Sequence, residues 1–174
     1  MTASEPTPRR ADAVRKRPSL SGAIAGYREV FSNPIALPLY LLTAVEGASV
    51  FATHPYVAAV LHRREGVGAF EAGMVIGSFG VGALAYTLCV QWLLAHLGPK
   101  RMAVVGSSGA GLALCLFALG GDWRVDCVLF FAFGFAFLML HNPLQAVATE
   151  VSTKARGSAV AMFALALFLG QAMG

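Results

Sequence analysis

Five long apolar runs separated by short polar stretches organise this chain, at about residues 34–61, 72–97, 102–121, 127–149 and 157–174. All are far longer than strands, and none alternates apolar with polar positions as a barrel strand does. They predict helices. The second run carries no Asp, Glu, Lys or Arg over 26 residues. A helix of that length reaches roughly 39 Å, against a bilayer core of about 30 Å. The links, "HRREGVGAFE", "GPKR", "DWRVD" and "EVSTKAR", are short enough that consecutive helices must run antiparallel.

Composition fixes the class. The chain is 57% hydrophobic and 13% charged, about half the roughly 25% charge of a soluble domain. A 174-residue globule has too little interior to hide that much apolar surface. The reading is an all-α integral membrane protein with five transmembrane helices. Ahead of them, residues 1–30 form a basic arm, rich in Pro, Ser, Thr and Arg in its early part, that should be largely disordered. Ten Lys and Arg fall on one side, six in the arm together with Lys100, Arg101, Lys154 and Arg156; Arg63, Arg64 and Arg124 fall on the other. That asymmetry predicts a cytoplasmic N-terminus and a multi-pass protein of the cell membrane. Beside an inner leaflet the arm meets anionic lipid more simply than nucleic acid. The last run is at the short limit for a span and has no polar or aromatic anchor after it, so the expectation is a truncated chain.

Small residues four apart recur inside the runs: Gly106 and Ala110, Ser107 and Gly111, Gly73 and Gly77, Ser78 and Gly82, Gly170 and Gly174. Such pairs let helix backbones approach closely in lipid, and predict a tight bundle. "GSSGAG" (106–111) is no phosphate loop, since it lacks the Lys-Ser/Thr pair and a preceding strand. Cys89, Cys115 and Cys127 read as packing residues. No spacing fits a metal site, a cofactor or a hydrolytic catalytic group, so the expectation is neither an enzyme nor a cofactor protein.

Three exceptions interrupt "LTAVEGASVFATHPYVAAVL" (42–61): Glu46, His54 and Pro55. An acid at mid-helix costs roughly 2.5 to 3.5 kcal/mol on insertion scales, so Glu46 must face the bundle or a cavity. Eight residues separate it from His54, roughly 12 Å along the axis, too far for direct pairing. In "LHNPLQAVATE" (140–150), Asn142, Gln145 and Thr149 share one face. Pro143 frees the carbonyl of Met139 and is expected to kink the helix. Two readings stay open for this stripe, the wall of a water-filled cavity or hydrogen bonding between helices.

These residues resemble the major facilitator superfamily, in its drug/metabolite:proton antiporter branch, over the C-terminal half of a twelve-helix chain. "YREVFSNPIALPLYLL" and "FATHPYVAAVL" are similar to that family's seventh helix. "LGPKR" resembles the tail of its cytoplasmic loop motif through Gly98, Lys100 and Arg101, with Gln91 and Ala95 where the motif has Gly and Asp. "NPLQAVATEVSTKARGSAVAMFALALFLGQAMG" resembles the tenth helix, a loop with Arg156 and Gly157, and the eleventh helix. The resemblance implies helices seven to eleven of a six-helix half bundle, working with a missing N-terminal half. It implies proton-coupled efflux of a small amphiphilic drug or metabolite by alternating access, with no transport by this piece alone. Glu46 is then the candidate for binding a proton or cationic substrate, or else a neutral acid bonded to a neighbouring helix. His54 would meet the outer vestibule, and Pro55 would bend a gating helix. The alternative is a membrane anchor or scaffold whose basic arm binds lipid or a partner.

Overall fold

The computed structural model describes residues 20–174, and among them only helices and their connections occur. The arm up to residue 19 lies outside the described residues. The end of the expected arm, beyond residue 19, belongs to helix α1 (Leu20–Ser32), docked through the fully buried Val30. Next come α2 (Ala36–Phe51), a 3-10 turn (His54–Tyr56), α3 (Val57–Glu65), α4 (Ala69–Leu119), α5 (Trp123–Glu150) and α6 (Arg156–Met173). Four stretches are long and apolar enough to cross a membrane: Ala36–Glu65, Ala69–Leu119, Trp123–Glu150 and Arg156–Met173.

α4 contains two of the expected spans in one element of 51 residues, but it cannot be straight. Ala72 and Val75 share a buried cluster with Phe117, whereas a straight helix would hold residues 72 and 117 roughly 67 Å apart. The reversal sits at Gly98, whose φ of 70° and ψ of 165° leave the helical region, a conformation that disfavours any side chain. Pro99 follows and cannot donate a backbone hydrogen bond. Arms 69–97 and 99–119 therefore run antiparallel, and the expected "GPKR" link is little more than a single glycine.

The first expected span is also divided. α2 stops at Phe51, Thr53 N–H closes a tight bond to the Val50 carbonyl (3.2 Å), and helix resumes after the turn at Pro55. At its start the structure moves the boundary. Asn33 holds the turn before α2: its Oδ1 accepts from Ile35 N–H (3.0 Å), and its Nδ2 donates to the Val151 carbonyl (3.0 Å).

α5 is the axis of the bundle. At its crossing with the first arm of α4, Gly82 lies against the carbonyl of Phe131 and Gly134 against that of Phe79. α2 pairs with α6 in the same way, Gly47 against the Leu167 carbonyl and Gly170 against that of Ala44. In both crossings each glycine meets the carbonyl three residues before its partner glycine, so one two-helix unit is used twice. Gly106 is similarly close to α5, with a Cβ there meeting Leu140 N at 2.7 Å. Among the described residues, Gly73, Gly77 and Gly111 have nothing within 4 Å, so the close approach expected of them is not made there.

Candidate functional site

Gly47 presses α2 onto α6, and one residue back, about 100° around the helix, the Glu46 side chain turns towards α5. It is 3% exposed. Its Oε1 lies 3.2 Å from Nδ1 of His141, and its Oε2 is buried with no hydrogen-bond partner among the described residues. The His141 ring stacks on Phe137 (5.6 Å, 15°) and lies against Phe163 (5.4 Å). Glu46 also lines a cavity of about 200 Å³ with Val45 and Ser49 of α2, Ser107 and Gly111 of α4, and Leu140. Both hydroxyls there donate to their own helices, Ser49 to the Glu46 carbonyl (2.7 Å) and Ser107 to that of Val104 (3.0 Å). A carboxyl and an imidazole in contact, shielded from water, can share, take up or give one proton.

The other sequence candidates do not gather around Glu46. His54 bonds through Nδ1 with the Val50 carbonyl (2.8 Å), and its ring packs against Phe79 (4.8 Å), Phe130 (5.7 Å) and Phe133 (6.2 Å). Asn142 donates from Nδ2 to the Tyr86 hydroxyl (3.3 Å), so it joins α5 to the first arm of α4. Gln145 is exposed, and Thr149 Oγ1 donates to the Ala146 carbonyl within its own helix (2.7 Å). α5 stays helical through Pro143, which lines a cavity of about 130 Å³ with Tyr86 and Asn142. His141 carries the decisive contact and was missed, although an imidazole in an apolar run beside Asn142 was a readable signal.

The sequence pattern that defines the Major Facilitator Superfamily matches residues 2–174. The chain belongs to the Major Facilitator Superfamily. Neither a curated protein nor a solved structure matches it. Membership of the Major Facilitator Superfamily makes the protein a multi-pass membrane protein and implies secondary transport rather than enzymic catalysis.

In this Major Facilitator chain the loop residues occupy one end of the bundle. Gly98 makes the reversal described above, and Lys100 and Arg101 are exposed with no ion pair among the described residues. Arg156 donates from Nε to the Thr149 carbonyl (3.0 Å), tying the start of α6 to the end of α5, and Gly157 is exposed. The opposite end holds a second buried acid, one that a polar-looking "DWRVD" conceals. α5 begins at Trp123, capped by Asp122, whose Oδ1 accepts from Arg124 N–H (2.8 Å). Asp126 is thereby drawn inside at 1% exposure, with Arg64 of α3 at 4.0 Å as its counter-charge. Arg64 also donates to the Phe117 carbonyl (2.9 Å), and Glu65 Oε2 accepts from Trp123 N–H (3.2 Å). Arg64→Ala should leave that carboxylate without its counter-charge and destabilise the bundle by roughly 1–3 kcal/mol, the cost of leaving a buried polar group unpaired. Adding Asp126→Asn should recover most of the loss, both read by denaturing-detergent titration of helicity.

Proposed function

We propose that this chain is the C-terminal half bundle, helices seven to eleven, of a proton-driven exporter in the drug/metabolite:proton antiporter branch. The observation that carries the reading is the contact of Glu46 with His141 beside a cavity. It supports a site where one proton is gained or lost as the bundle changes partners across the membrane. On this reading the N-terminus is cytoplasmic in the cell membrane, as the excess of Lys and Arg around the arm, Gly98 and Arg156 favours. Lys100 and Arg101 then face anionic lipid, and α3 lies at the outer end. The break at Pro55 is the outer hinge, Pro143 is a second weak point, and Asn142, Gln145 and Thr149 line the inner approach. Substrate is held between this half and an N-terminal half, each rocking against the other. Membership of a family of secondary transporters weighs against the anchor reading.

Everted vesicles carrying the complete transporter should accumulate a fluorescent amphiphile when a proton gradient is imposed. An uncoupler should stop the uptake. Accumulation indifferent to the uncoupler would rule out proton coupling.

A further inference from the structure

Glu46 precedes Gly47 as Phe133 precedes Gly134, and His54 and His141 each follow their glycine by seven residues. The two histidines therefore hold matching places relative to Gly47 and Gly134, the glycines of the two crossings. Each reaches the matching place on the other central helix: His141 meets Glu46, and His54 meets Phe133 at 6.2 Å. One contact is polar and the other aromatic.

Rings join the two. His54 touches Phe79 (4.8 Å), Phe79 touches Phe137 (5.7 Å), and Phe137 stacks on His141 (5.6 Å). This ladder joins the turn after α2, the first arm of α4, and α5, and its four members are all half-buried. Each therefore leaves part of its ring uncovered. Neither histidine's Nε2 has a partner among the described residues; each makes its one hydrogen-bonding contact through Nδ1. An imidazole turned to lipid is unfavourable, and an ionisable side chain within a span faces the bundle interior or a water-filled path. Rings spaced at 4.5–7 Å present edges and faces to a further ring.

We infer that the ladder from His54 to His141 is the surface that receives a planar aromatic molecule with hydrogen-bonding groups at its rim. The ring lies along Phe79 and Phe137, and the rim groups meet the histidines at either end. Phe79 and Phe137 thus set specificity by shape. This rests on the transporter reading above and names its substrate class.

The test uses the complete chain in lipid nanodiscs, with proflavine as the planar probe and tetraethylammonium as an aliphatic cation without a ring. Phe137→Ala should weaken proflavine binding about five- to tenfold, the order of one lost ring contact. Phe137→Trp should hold affinity within about twofold, and Phe168→Ala, on the exposed face of α6, should change nothing. Tetraethylammonium should not compete. Equal proflavine affinity in Phe137→Ala and the parent, with helicity unchanged, overturns the inference, as does full displacement by tetraethylammonium. Failure of proton-driven uptake with this binding pattern intact removes the coupling reading alone. The reverse result removes the ladder alone.

Discussion

Gly134→Leu should leave no folded bundle. A side chain at that position has a backbone carbonyl, that of Phe79, in its way, so no rotamer relieves the clash and the helices themselves must separate. Overpacking of well-packed cores costs typically 1–3 kcal/mol, and a rigid backbone obstacle puts this case at about 3 kcal/mol or more. The crossing it opens is the one on which α5 and the first arm of α4 seat, with Gly82 lost in the same movement. Size-exclusion chromatography in mild detergent should show aggregate in place of a single peak. Gly77→Leu is the matched control. It lies on the same helical arm with nothing within 4 Å, and the protein should run as the parent does. If both variants behave alike, the packing argument fails.

Glu46→Gln should reduce proton-driven uptake to the level seen with an uncoupler, while the protein still reaches the membrane. The glutamine keeps the size of the side chain and the contact with His141, but cannot gain or release the proton. His141→Ala should do the opposite in kind, harming the fold as well. It leaves the buried carboxyl with neither oxygen partnered among the described residues, since Oε2 has no partner there already. Loss of one member of a buried pair costs about 3 kcal/mol. Combining Glu46→Gln with His141→Ala should therefore be milder for stability than the sum of the two, by 1–3 kcal/mol, as for residues in direct contact. Denaturing-detergent titration of the four proteins measures this cycle. Additive losses would show that the pair does not act as a unit, and normal coupling in Glu46→Gln would return the acid to a structural role.

Much of the architecture is legible in the sequence because lipid leaves few choices. Apolar runs of 18 or more residues must become helices, and a Gly-Pro between two of them must become the turn. Glu46 stands out for the same reason, as an acid where insertion is costly. Its partner is hidden because 95 residues separate Glu46 from His141, and spacing along one helix says nothing about which neighbour it faces. Asp126 is hidden differently: polar neighbours make "DWRVD" read as a loop, while Asp122 as cap places the helix start about four residues earlier than apolarity suggests. The small residues mislead in part. Sequence shows where a close approach is permitted, and Gly82 and Gly170 use that permission while Gly73 and Gly77 do not.

The pairing of α2 with α6 has a consequence for how the protein is made. The chain emerges from the ribosome in order, at about 5–20 residues per second. The arms of α4 and α5 are neighbours in sequence and can seat as soon as α5 has been delivered. α2 has to wait with Gly47 uncovered until Gly170 follows, more than a hundred residues later. The Glu46 side chain waits a shorter time, until α5 brings His141 to it 95 residues later. Synthesis stalled or cut before α6 should therefore leave α2 without its packing partner, a span that membrane quality control recognises and removes.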